Sequence, residues 1–238
     1  MSDKHNLEIY ENAKELAWAA ALRFASFAEQ SIKAYGRFTV ALSGGSTPKA
    51  LFTILAEKPF ADSLPWQNIY LFWGDERCVP PDHADSNFRM TNEALLAKAP
   101  VPAENVFRVP GEDEDHERAA ANYAAAIQQF FGSDAPQFDL VFLGMGADGH
   151  TASLVPNDAV LEVHDHEVAL TGVYMGRRRM TLTYPVLNHA RNILWLATGA
   201  EKTAMLRRLR DGDESIPAGR VRRENAIVLA DAAAAANL

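Results

Sequence analysis

The apolar residues Ile9, Ala13, Leu16, Ala17, Ala20, Phe24 and Phe27 recur at helical spacing, which predicts one long amphipathic helix over residues 7–35 with Gly36 as its C-cap. A short apolar run over 37–42 reads as a strand, Ser43-Gly44-Gly45-Ser46-Thr47 as a turn, and Thr47 as the N-cap of a helix opening at Pro48. The unit recurs as a strand at 68–73, a long polar loop at 74–87 in which Ser86 is an N-cap, and a helix at 88–98. A helix over 113–131, acidic in its first turn, leads into a third buried run at 138–143 and then a glycine cluster at 144–149. Further strands are expected at 167–174, 180–184, 192–198 and 226–229, with helices over 201–210 and around 232–236. Strands alternating with helices predict an α/β fold of three layers, Rossmann-like, with a mostly parallel sheet covered by helices on both faces. No internal repeat or Pro/Gly/Ser-rich linker interrupts the pattern, and the polar, His-containing stretch 157–166 reads as a loop, so one domain over 1–238 is expected.

Composition narrows the partners rather than the fold. At 48% hydrophobic and 23% charged, the chain has the make-up of ordinary globular proteins. Lys and Arg number 23 against 31 Asp and Glu, giving −8, with no basic run long enough to track a phosphate backbone, so nucleic acid is not expected as a partner. The single cysteine, Cys78, can form neither an internal disulfide nor a thiolate cluster, which fits a reducing, cytoplasmic setting. A polar N-terminus and the lack of a long apolar window argue against a secretion signal and a membrane span.

Candidate chemistry gathers in the loops after the strands at 37–42, 68–73 and 138–143, because ligands of open parallel sheets bind beyond the carboxyl ends of the strands. Ser43-Gly44-Gly45-Ser46-Thr47 offers consecutive N–H groups and a helix N-terminus, which suits a phosphate, although a plain capped turn has the same residues. Its spacing to Lys49 is not that of a nucleotide P-loop. Trp73-Gly74-Asp75-Glu76-Arg77 sets two carboxylates and a guanidinium at a strand end, either as a salt-bridge cluster or as a site for an anion or a developing oxyanion.

Gly144-Met145-Gly146-Ala147-Asp148-Gly149-His150-Thr151 matches the dinucleotide pattern G-x-G-x-x-G, yet Pro156 stops any helix within two turns and the match lies late in the chain. Asp148 and His150, flanking a glycine, suit a base and its orienter. His164 and His166 lack a third ligand at metal spacing and read as exposed loop residues, and His189 as a helix-end residue. Arg177, Arg178 and Arg179 form a basic patch before a strand. Lys202, a cation at a helix start where the dipole disfavours it, hints at an anionic ligand.

Together, Leu42-Ser43-Gly44-Gly45-Ser46-Thr47-Pro48, Gly74-Asp75-Glu76-Arg77 with Ser86-Asn87, and Gly144 through Leu154 resemble the 6-phosphogluconolactonase family. Arg179-Met180-Thr181-Leu182-Thr183, Gly199 with Lys202, and Ile216-Pro217-Ala218 with Arg220 follow in the family's order, so the resemblance spans nearly the whole chain. It implies hydrolysis of a 6-phosphosugar lactone without metal or organic cofactor, with Ser43, Gly44, Gly45, Ser46, Thr47, Arg179 and Lys202 holding the phosphate. His150 is then the base, Asp148 its orienter, and Arg77 and Asp75 the other catalytic groups. The chain departs from the family in Val155, in Gly176-Arg177-Arg178 and in Gly219. A monomer or weak dimer is expected. The rival readings are an aminosugar-phosphate isomerase or deaminase, whose Asn-Glu pair is replaced here by Thr151-Ala152, and a sugar-phosphate sensor, for which the chain lacks a DNA-binding head.

Overall fold

The computed structural model describes residues 6–132, 135–236 and 238. In chain order the elements are β1 (Asn6–Tyr10), α1 (Ala13–Tyr35), β2 (Phe38–Leu42), α2 (Ser46–Leu55), α3 (Phe60–Ser63), β3 (Ile69–Trp73), β4 (Asp75–Arg77), α4 (Asn87–Thr91), β5 (Val106–Phe107) and α5 (His116–Phe131). They continue with β6 (Leu140–Leu143), β7 (Val168–Leu170), β8 (Arg179–Leu182), α6 (Tyr184–His189), β9 (Ile193–Ala197), α7 (Thr203–Asp211) and β10 (Ala226–Asp231).

Seven strands form a wholly parallel sheet in the order β1-β10-β9-β6-β2-β3-β5. Its middle strands β2, β6 and β9 are buried along their whole length, as parallel strands covered on both faces must be. Helices lie on both sides. On one, Phe24 of α1 packs edge-on to Phe38 at 5.2 Å and stacks on Phe142 at 6.3 Å, and Phe52 of α2 also meets Phe142. On the other, Phe130 of α5 meets Tyr70 at 5.0 Å and Phe72 at 5.2 Å. Each fully buried ring is worth about 1.5–3 kcal/mol relative to exposure. Most of the buried apolar side chains from Leu16 to Ala234 form one contiguous cluster. Among the described residues, no helix is long and apolar enough to cross a membrane.

Several boundaries differ from the sequence reading. Residues Leu7 to Ile9 belong to edge strand β1, paired with β10, and α1 begins only after Asn12, whose Oδ1 accepts the N–H groups of Lys14 and Glu15 at 3.0 Å each. Gly36 caps its other end at φ 75°, as expected. The polar loop 74–87 contains β4, which joins β8 and β7 in a separate antiparallel sheet. Ser86 does cap α4, accepting from the Arg89 N–H at 3.1 Å, but the helix expected to Lys98 ends in a wide π-turn, Asn92–Leu96. The strand expected at 167–174 is only β7, and residues 232–236 form turns rather than a helix.

Candidate active site

The strand order fixes where a crevice opens. From β2 the chain proceeds outward to β3 and β5, then returns to place β6 on the other side of β2, so the connections leaving β2 and β6 diverge. Such a switch point leaves a gap beyond the carboxyl ends of the two strands. The segments there are 43–47 and 144–150. Residues 43–47, Gly144, Met145, Gly146 and His150 line a cavity of about 220 Å³ together with Asp75, Arg77, Asn87, Arg179, Thr198 and Lys202.

The phosphate-type loop differs from its expected geometry in one useful respect. Gly45, at φ 108°, is the residue before α2, and Ser46 and Thr47 already lie in the first turn. Thr47 therefore does not cap the helix; its Oγ1 lies 2.6 Å from Thr198 Oγ1. No side chain caps α2. The N–H groups of Gly45, Ser46 and Thr47 find no acceptor among the described residues, and Pro48 has none to satisfy. They present a positive helix end to the cavity. Gly44 is required by packing, because a Cβ there would run into the side-chain amide of Asn87.

Antiparallel pairing of β4 with β8 explains the split roles of Asp75, Glu76 and Arg77. Side chains alternate across a strand, so Asp75 and Arg77 share the cavity face and Glu76 takes the opposite one. Glu76 is 2% exposed and accepts four hydrogen bonds: from the N–H groups of Arg77 and Asn87, each at 2.8 Å, from Phe88 N–H at 2.7 Å, and from Ser86 Oγ at 3.0 Å. Burial pushes its pKa up against the downward pull of the three backbone donors. Glu76 thus ties β4 to the start of α4. Glu76→Ala strands those buried donors, and urea unfolding is expected to show a loss of about 3 kcal/mol or more.

Asp75, also buried, accepts from Ser153 Oγ at 2.6 Å through Oδ2 and from Asn87 Nδ2 at 3.3 Å through Oδ1. No ion pair links Asp75, Glu76 and Arg77, which removes the salt-bridge-cluster reading among the described residues. Arg77 stands directly opposite Arg179 in the β4–β8 register. Arg77 donates to the Asp85 carbonyl at 2.6 Å, and the Nε atoms of both arginines are buried without a hydrogen-bond partner among the described residues. Burial, then the charge of Arg77, lower the Arg179 pKa from its ordinary value. Two facing guanidiniums with unused donors are an anion site in waiting. The neighbouring arginines turn elsewhere: Arg177 to Asp85 and His83, Arg178 to the Thr171 carbonyl and Glu117.

His150 lines the cavity and Asp148 stands behind it. Asp148 Oδ1 lies 2.6 Å from His150 Nδ1 and accepts the His150 N–H at 3.2 Å. The turn is closed by Gly146 N–H to the His150 carbonyl at 2.9 Å, and a Cβ on Gly146 would strike the imidazole. With Nδ1 committed to the carboxylate, Nε2 is the ring nitrogen left for chemistry. Burial raises the Asp148 pKa, but hydrogen bonds from Tyr174 and His150 outweigh it and leave it below the ordinary value.

Lys202 lies at the end of a 3₁₀ turn, Ala200–Lys202, just before α7. His164 and His166 are exposed beside Glu162 and Asp165. Cys78 follows Arg77, and burial pushes its thiol up to about 11, so it stays protonated at neutral pH. Sequence reasoning had given no site role to Asn87, Thr198, Ser153 or Tyr174. Thr198 was open to discovery, since it ends the strand beside β6. The others are placed by tertiary contacts.

A sheet switch point bearing a bare helix N-terminus, paired arginines and a carboxylate-held histidine sets an anion-binding surface beside a candidate base. Residues 11–229 match the family model described as glucosamine-6-phosphate isomerases/6-phosphogluconolactonase, and the chain belongs to that family. It is 45% identical over 181 residues to the 6-phosphogluconolactonase of Nostoc sp., covering 75% of this chain and 73% of that protein. With the 6-phosphogluconolactonase of Treponema pallidum it shares 40% over 203 residues, 83% of this chain and 81% of the other. The solved 6-phosphogluconolactonase from Trypanosoma cruzi superposes with a TM-score of 0.89 at 29% identity, over 100% of this chain and 98% of that one.

Proposed function

We propose that the chain hydrolyses 6-phospho-D-glucono-1,5-lactone to 6-phospho-D-gluconate, the lactone step of the oxidative pentose phosphate pathway. The observation that carries the reading is the Asp148-held His150 facing a cavity walled by cations that have no carboxylate partner among the described residues. The N-terminus of α2, Arg179 and Lys202 hold the 6-phosphate. His150 Nε2 takes a proton from water as the water oxygen bonds to C1, and Arg77 stabilises the oxyanion that forms on the carbonyl oxygen. When the C1–ring oxygen bond breaks, the imidazolium returns its proton to the departing ring oxygen. Asp148 fixes the imidazole, and Asp75 Oδ1, with one long contact, has lone pairs to spare for a substrate hydroxyl.

On this reading the protein acts as one domain, as a monomer or weak dimer, in the cytoplasm. Freshly generated lactone, followed above its spontaneous hydrolysis, tests the reading. Acceleration is expected with the lactone and no turnover with glucosamine 6-phosphate; the reverse pattern would assign the isomerase branch of the family instead.

A further inference from the structure

Behind the candidate catalytic pair stands a residue that the proposed chemistry does not use. β7 and β8 extend past their ladder as a hairpin, through Thr171 N–H to the Arg179 carbonyl at 2.8 Å and Tyr174 N–H to the Arg177 carbonyl at 2.8 Å. Its tip has two residues, Met175 at φ 49° and Gly176 at φ 79°, the pair of left-handed conformations of a type I′ turn. Gly172 N–H anchors the arm to Asp158 Oδ2 at 2.9 Å. The arm delivers Tyr174, whose hydroxyl donates to Asp148 Oδ2 at 2.8 Å and lies 3.2 Å from His150 Nδ1.

The ring is placed as firmly as the hydroxyl. It meets the imidazole edge-on with centroids 5.3 Å apart, and the Arg179 guanidinium lies over it at 5.0 Å. Asp148 therefore has each oxygen assigned: Oδ1 to His150, Oδ2 to Tyr174. Without the phenol, the carboxylate is held only at Oδ1, by the His150 N–H at 3.2 Å and by Nδ1 itself, so its rotation about the last bond is less restrained and Nδ1 has a less firmly fixed acceptor. The exposed Val173 and Met175 beside it show that the arm is not held by burial of its tip.

Resting on the lactonase reading above, we propose that Tyr174 is a positioning residue for that reaction, pinning Asp148 so that His150 carries its proton on Nδ1 and offers Nε2 to the cavity. The charged groups that line the cavity with His150 are Asp75 and Arg77 from β4, Arg179 from β8 and Lys202 after β9, and Arg179 also lies over the Tyr174 ring. Burial and then Asp148 raise the Tyr174 pKa, so the phenol remains a donor. Removing the hydroxyl leaves Asp148 with one donor fewer and its charge more available to the imidazolium, which favours the protonated ring.

Tyr174→Phe keeps the ring packing and deletes only the oxygen. The expected result is a fall of about tenfold in kcat with KM unchanged, and an acidic limb of kcat/KM moved to higher pH. A purely structural role would move neither the limb nor the split between kcat and KM. In parallel, ¹⁵N NMR of the imidazole, without substrate, should show the Nδ1-protonated tautomer in the wild type and a mixture in Tyr174→Phe. An unchanged tautomer with unchanged kcat and pH profile overturns the proposal, as does a rise in KM alone, which would assign Tyr174 to Arg179 and binding. If the wild type fails to hydrolyse the lactone, the functional reading falls, and the tautomer measurement still decides what Tyr174 does.

Discussion

In His150→Ala, kcat for hydrolysis of the 6-phospholactone falls by about 10²- to 10⁴-fold while KM moves little. The split follows from the geometry. The groups assigned to the phosphate lie on α2, β8 and the turn before α7, and none of them depends on the imidazole for its position. The proposed base is lost, but the cations assigned to the phosphate and the oxyanion stay, so activity drops towards a floor above the spontaneous rate rather than to it. Asp148 keeps Tyr174 as a donor in the variant, and the turn keeps its backbone hydrogen bonds, so the fold survives. Progress curves with fresh lactone at several concentrations give kcat and KM together. Wild-type turnover in His150→Ala would move the base elsewhere, and Asp75 is a carboxylate that lines the cavity.

The parts of this site legible in the sequence are those written locally. The glycine-rich turns after β2 and β6 and the Asp148–His150 spacing are short-range patterns, and the rule that ligands gather at strand ends joins them into one site. What stayed hidden depends on pairing between distant segments. Asp75, Glu76 and Arg77 have poor strand propensity and read as loop; they become a strand because β8 offers a partner, and that pairing decides that Asp75 and Arg77 face the cavity while Glu76 accepts the first N–H groups of α4. Edge strand β1 was hidden for the complementary reason: Leu7 and Ile9 fit a helical as well as an alternating pattern, and only β10 settles it. Tyr174 gave no signal, since its role rests on a two-residue hairpin tip that brings it to Asp148 across 26 positions.

Arg179→Met should move affinity and stability in opposite directions. Without a charge-assisted grip on the phosphate, KM for the lactone rises by about 10- to 100-fold, with kcat largely kept. Meanwhile the ligand-free protein gains stability, on the order of 1 kcal/mol. Arg179 is 7% exposed, has a buried Nε without a partner among the described residues, and stands opposite a second arginine in the ladder. Like charges directly opposed across strands destabilise, and burial of a cation without a carboxylate adds to the cost. Its contact with the Tyr174 ring returns only about 0.5–1 kcal/mol. Methionine fills similar space without charge. The guanidinium is ionised at every pH the fold tolerates, so the gain should not vary across the neutral range. Urea unfolding with and without inorganic phosphate measures both effects, and phosphate should stabilise the wild type more than the variant. A variant that lost stability as well as affinity would mean that Arg179 is held by the protein's own groups, and would leave the phosphate to Lys202 and the bare first turn of α2.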